Sequence, residues 1–177
     1  MQPNRLFLLS PAYAGGERAR MIMGERAQFG LARRLRSEGA TLAEVFTFLS
    51  GLYFRGKIAY ANTFARVSEG LCGVLVITPT RGLMDARSTI TLDDLREFAK
   101  VDVDLSDPRY RKPLERDAHK LAKKLSPQCE VILLGSIASN KYVEVLLRHF
   151  DERLQFPGDF VGRGDMSRGG LLLRCAA

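Results

Sequence analysis

The sequence predicts an α/β fold, a three-layer α/β/α sandwich around a central, mainly parallel sheet of four to five strands. Three observations lead there. The short apolar runs are continuous rather than alternating, as strands buried on both faces require. Helical stretches with legible start signals separate those runs. At 177 residues and 46% hydrophobic content, the chain is long enough for one well-buried core and short for two domains, so residues 1–177 read as a single unit.

The elements follow in order. Arg5 to Ser10 is the first strand. Thr41 and Glu44 form a capping box ahead of Leu42, Val45, Phe46 and Leu49, after which Ser50-Gly51 and Gly56 bend or interrupt the path before a helix over Ile58 to Phe64. Gly73 to Thr78 is the second strand, and Thr91 with Asp94 starts a helix carrying Leu92, Leu95 and Phe98. Pro113 suits a first helical position before the stripe of Leu114, Ala118, Leu121, Ala122 and Leu125, which Ser126-Pro127 ends. Glu130 to Leu134 is the third strand, and Tyr142, Val145, Leu146 and His149 mark a last helix. A weaker run at Leu154 to Phe156 and a final strand at Leu171 to Cys175 flank a long glycine-rich loop.

That loop, Pro157 to Gly170, holds five glycines together with Asp159, Arg163, Asp165 and Arg168. Glycines let the backbone approach a ligand or take positive φ, and loops of this length commonly carry function.

Charge is uneven. Residues 1–66 carry ten Lys or Arg against four Glu, whereas residues 67–150 carry thirteen against twelve acids, so the excess within the net +7 is N-terminal. This suits a polyanionic partner, nucleic acid included, although basic composition speaks first to non-specific binding. No apolar run approaches the roughly 18 residues that span a bilayer, and the N-terminus lacks the pattern of a cleavable signal, so a cytoplasmic, membrane-free protein is expected. Cys72, Cys129 and Cys175 stand far apart with no histidine at ligand spacing, which reads as reduced, mostly buried thiols. Neither a metal nor another cofactor is implied. Nothing in the pattern specifies an oligomeric state.

Ligands of open α/β sheets bind outside the carboxyl ends of the strands, and the residues there are the site candidates. Ser10 to Arg20, Thr78 to Asp85 and Gly135 to Tyr142 each combine small residues, hydroxyls and a cation. Gly15-Gly16 and Gly135-Ser136 are candidates for presenting backbone N–H groups to an anion at a helix N-terminus. Gly162-x-Gly164 is expected to precede no helix, and no phosphate-loop motif is present. With His119 expected on a solvated face and His149 on an apolar one, histidine-based catalysis is disfavoured, leaving carboxylates. Asp165 and Glu17 are the catalytic candidates. Arg18, Arg55, Arg163 and Arg168 are candidates for holding phosphate and Arg81 for binding substrate, with Tyr53 or Tyr142 stacking a base. In Ser50 to Tyr60 two readings stay open: aromatics and cations that hold a base and its phosphate, or a helix whose Leu52, Phe54 and Ile58 pack on the sheet while Arg55 and Lys57 face water.

The order of motifs carries a resemblance. A strand ending in Ser10-Pro11, then Leu52-Tyr-Phe-Arg55 with Ala59-Tyr60, then Val76-Ile-Thr-Pro-Thr-Arg-Gly-Leu83, then Lys141-Tyr142 and a late glycine-rich loop, resembles a bacterial and phage family of uncharacterised proteins similar in fold to the uracil-DNA-glycosylase-like superfamily. The resemblance covers roughly residues 5–175 and implies a three-layer sandwich with a strand-end ligand site tied to nucleotides, modified bases or nucleic acid. It marks Tyr53, Arg55, Tyr60, Gly82, Lys141 and Tyr142 as pocket residues. The Gly-Gln-Asp-Pro-Tyr-His and His-Pro-Ser-Pro segments of true uracil glycosylases are missing, so uracil excision is not implied. The functional expectation is a protein binding a nucleotide or nucleoside and acting at an N-glycosidic or phosphate bond. The alternative is a non-catalytic nucleic-acid-binding module.

Overall fold

Leu6, Phe7, Leu8 and Leu9 are all buried because the strand they form, β1 (Arg5–Leu9), lies in the middle of the sheet. In this computed structural model, which describes residues 4–139 and 141–177, β1 pairs in parallel on one edge with β3 (Val74–Thr78) and on the other with β6 (Glu130–Leu134). Alternate β1 side chains leave the sheet on opposite faces. Phe7 and Leu9 join Val74 and Val76 in one core, and Leu6 and Leu8 join Ile77, Val131 and Leu133 in the other. A strand with two buried faces has no polar positions to alternate, hence the unbroken apolar run.

The first face is covered by α1 (Glu17–Met23), α2 (Gly30–Ser37), α3 (Leu42–Ser50), α4 (Leu52–Phe64) and α5 (Leu92–Phe98). The second is covered by α6 (Pro108–Lys124) and α7 (Val143–Phe150). The expected sandwich with a mainly parallel sheet is therefore the observed one. Its five strands run β4-β3-β1-β6-β7, with β4 (Gly82–Asp85) antiparallel to β3 and β7 (Leu154–Gln155) a parallel edge strand on β6. A separate antiparallel pair joins β2 (Ala40–Thr41) to β5 (Thr89–Ile90).

Both capping boxes form as the sequence predicts. The Thr41 hydroxyl accepts from the Glu44 amide while the Glu44 carboxylate accepts from the Thr41 amide, and Thr91 and Asp94 repeat the arrangement on α5. Gly51, at φ +68°, separates α3 from α4, a backbone state open to glycine at little cost.

Several expectations need correction. Leu171 to Cys175 is not a strand: it lies inside a final helix, α8 (Asp165–Ala176), so the glycine-rich stretch ends at Gly164 and a helix does follow Gly162-x-Gly164. Short apolar runs do not discriminate strand from buried helix, and three consecutive leucines, unbranched at Cβ, suit a helix well. Gly56 does not interrupt its helix. It is buried within the continuous α4, where a Cβ would come within 2.6 Å of the Gly169 carbonyl oxygen, and Gly169 answers with its own Cα face against Leu52 and Tyr53. Two glycines at one crossing let α4 and α8 approach backbone to backbone. Pro113 is interior to α6, which starts five residues earlier at Pro108 behind the Asp107 cap. No helix starts at Gly135-Ser136, since α7 begins only at Val143. Cys129 is buried and Cys72 half-buried as expected of packed thiols, whereas Cys175 is exposed.

Candidate functional site

Strand order defines the crevice. From β1 the chain crosses to β3 on one side and later to β6 on the other, so the sheet's topological switch point lies at the carboxyl end of β1. Ser10 sits there, its amide donating to the Leu134 carbonyl at 3.0 Å. Gly135 keeps the end of β6 close, since a Cβ on it would lie 2.9 Å from Ser10 Cβ.

Into this point α4 drives a lysine. Lys57 is 1% exposed, and its Nζ donates to both the carbonyl oxygen and Oγ of Ser10, each at 2.8 Å. The ammonium lies 4.4 Å from the centre of the Tyr53 ring and 4.9 Å from that of Phe54, and makes no ion pair among the described residues. Burial lowers its pKa to about 7, with the Asp165 carboxylate acting in the opposite direction. The sequence reading that turned Lys57 to water is thus overturned. Its neighbours at i−4 and i−3, Tyr53 and Phe54, are on the buried face, and the lysine shares that face.

Two buried tyrosines complete the cluster. Burial, with Tyr53 nearby, pushes the Tyr142 phenol up to about 12, against the effect of the Ser10 hydroxyl. Tyr53 is 7% exposed, and its hydroxyl, sealed from solvent, makes no hydrogen bond of full geometry among the described residues, only a looser approach to the Arg168 guanidinium. Burial raises its pKa as well, and the Arg168 guanidinium of α8 opposes the rise. Beside the cluster a cavity of about 320 Å³ opens between the Pro11 to Gly15 turn, Pro79, the Phe98 to Asp104 connection and Lys141-Tyr142. Tyr13, 73% exposed, forms part of its wall.

Of the expected residues, Tyr53 and Tyr142 stand in the buried cluster, the charges of Asp165 and Arg168 reach it from α8, and Lys141 lies on the cavity wall. Others go elsewhere. Arg18 donates to the Phe48 carbonyl at 3.1 Å and covers the Gly51 junction. Tyr60 packs edge-on against Phe7 and beside Phe64, as core. Arg81 is held by Asp94 at 2.6 Å and Glu97 at 3.0 Å. Gly82, at φ +62°, closes the β3–β4 turn against the Pro113 carbonyl and the Asp117 carboxylate, for packing rather than ligand approach. Glu17 and Arg55 are exposed on their helices, and Arg163 bonds Ser167 Oγ at 3.0 Å. His119 and His149, rings 5.6 Å apart, pair across α6 and α7 on the other layer. Burial, then His119, lowers the His149 pKa. Among the described residues no group of three or more His, Cys, Asp or Glu is placed to hold a metal ion, and no helix is long and apolar enough to cross a membrane.

Sequence reasoning named Ser10 only within the loop after the first strand and Lys57 only in one of the two readings of Ser50 to Tyr60, and it did not pair them. The available signal was the four-residue step from Tyr53 to Lys57, which puts both on one face of a helix.

Fold and cluster together define an open α/β sandwich with a polar, partly closed crevice at the carboxyl ends of its central strands. No protein-family model matches the chain, and neither a curated protein nor a solved structure does.

Proposed function

We propose that this protein binds a small phosphorylated or nucleoside ligand, a nucleotide or nucleoside, in the crevice beside Ser10, Lys57 and Tyr142, and acts on its N-glycosidic or phosphate bond. One observation carries the reading: a buried amine without a counter-charge, whose pKa falls near 7, stands at the switch point where ligands of such sheets bind. An amine of that kind holds or releases a proton at neutral pH, and Ser10 Oγ connects it towards Tyr142. Tyr13 offers an exposed ring for a base, and Lys141 a cation at the cavity rim. The kinship with glycosylase-like proteins belongs to the same proposal, because Tyr53, Lys141 and Tyr142, three of the residues it marks, fall at the cluster and its cavity.

Thermal unfolding against nucleosides, nucleotides and short single- and double-stranded nucleic acids tests it. A ligand at a hundred times its Kd stabilises the native state by about 2.7 kcal/mol. A rise in Tm with a nucleoside or nucleotide, lost in Tyr13→Ala, is the expected result; no rise with any small molecule overturns the reading.

A second reading, a nucleic-acid-binding module, has its own support. Arg20, Arg26, Arg33 and Arg55 are exposed on the α1–α4 layer and make no ion pair among the described residues. A Tm rise seen only with nucleic acid, falling steeply and linearly in log salt, selects it.

A further inference from the structure

Ser10 and Lys57 meet in a way that offers more than packing. Lys57 Nζ lies 2.8 Å from both the carbonyl oxygen and Oγ of Ser10, and both residues are buried, with no carboxylate paired to the amine among the described residues. A protonated amine donates to both oxygens. Once neutral, it keeps two N–H donors and one lone pair; the carbonyl oxygen only accepts, so it holds an N–H and leaves the lone pair to take the Ser10 hydroxyl proton. Two features keep that hydroxyl available. At Gly135 a Cβ would fall 3.1 Å from Ser10 Oγ, so a glycine leaves that side of the oxygen uncrowded. Pro11, next in sequence, and Tyr142, whose phenol meets the Ser10 hydroxyl, both line the cavity of about 320 Å³, which makes that cavity the approach to Oγ.

We propose that Ser10 Oγ is a nucleophile that attacks phosphorus, with Lys57 Nζ as the base that takes its proton. The proposal rests on the reading above, which puts the ligand in this crevice, and it selects the phosphate bond over the N-glycosidic one. As Oγ bonds to phosphorus its proton passes to Lys57, the bond from phosphorus to the leaving oxygen breaks, and the new ammonium returns the proton to that oxygen. Water then cleaves the phosphoserine, its proton passing to Lys57 and on to Ser10 Oγ. Charge decides between the two bonds. A protonated Lys57 stands beside oxygens that gain negative charge in phosphoryl transfer, a favourable placement in a buried site. Breaking an N-glycosidic bond builds positive charge on the sugar, which the same ammonium opposes.

The test is labelling with a fluorophosphonate, which joins a serine oxygen to phosphorus with loss of fluoride, read by intact mass and peptide mapping in wild type, Ser10→Ala and Lys57→Met. One adduct is expected, on Ser10, and none in Ser10→Ala. The titratable and charged groups around the pair are Tyr53 on α4, Tyr142 before α7, and Asp165 and Arg168 on α8, whose charges act on Lys57 in opposite directions. Burial outweighs them and lowers the pKa of Lys57 to about 7, so labelling is expected to run about tenfold faster at pH 8 than at pH 6. Lys57→Met, shown to be folded by its unfolding transition, is expected to label about a hundredfold more slowly at pH 8. No Ser10 adduct in wild type, or adducts on Tyr13 or Tyr142 instead, overturns the proposal. A Ser10 adduct that forms without the rise in pH, or equally fast in Lys57→Met, removes Lys57 as the base. Neither failure touches ligand binding, which the Tm shift reads by itself; a labelled Ser10 with no Tm response to any nucleotide keeps the nucleophile and removes the reading from which the choice of bond follows.

Discussion

Lys57 and Arg81 are both cations held near the carboxyl ends of neighbouring strands, and they are treated in opposite ways. Arg81 has a full set of partners: Asp94 and Glu97 neutralise it, and Thr80 joins the same Glu97 carboxylate. Lys57 has only the two neutral oxygens of Ser10, in a site sealed from water. Completed charge sets hold structure, while a buried cation left uncompensated costs stability and persists where something else requires it. The contrast sets a fully paired arginine apart from the lysine on which the proposed function rests.

The harshest way to break the contrast is to part α8 from α4. Gly169→Val places a branched side chain against Leu52 and Tyr53 backbone, which cannot retreat like a flexible side chain. A loss of about 3 kcal/mol is expected in denaturant unfolding, with α8 and the Lys57 surroundings losing amide protection together.

Protonation sharpens it next. The folded-state pKa of Lys57 lies below its unfolded value, so between about 7 and 10.5 the unfolded chain holds a proton that the native one does not. The resulting penalty is full below pH 7 and fades as pH rises towards 10.5, a contribution of a few kcal/mol. Wild type is therefore expected to gain stability relative to Lys57→Met from pH 7 to 10, measured as Tm differences in matched buffers. A flat difference would mean that the native lysine is charged throughout.

Arg81→Ala is the mild counterpart. The Arg81 side chain is more than a third exposed and its ion pairs are screened, so a loss of about 1 kcal/mol is expected, with no pH trend between 7 and 10 and ligand affinity unchanged. An affinity change would return Arg81 to the site.

Much of this was legible in sequence. β1, β3 and β6 announce themselves because burial on both faces demands unbroken apolar runs, and the two capping boxes because their chemistry is local. α8 was not legible: Leu171 to Leu173 satisfies strand and helix patterns alike, and what decides is Gly56, more than a hundred residues away, offering a groove for Gly169. Tyr53, Tyr142, Asp165 and Arg168 were reachable from strand ends and loop composition. Burial of Lys57 against Ser10 was not, because lysines usually face water and Ser10 comes from the end of another element.

The pairing of β1 on both edges has a kinetic side. Arg5 meets Glu130 across 125 positions, so the sheet's second parallel edge waits for a loop of that length to close. Closure entropy grows only logarithmically with length, so the cost falls on rate more than on stability. Folding should follow a slow, long-range search in which β1 and β3 meet first, and Ser10 gains its Leu134 contact only when the late strand docks.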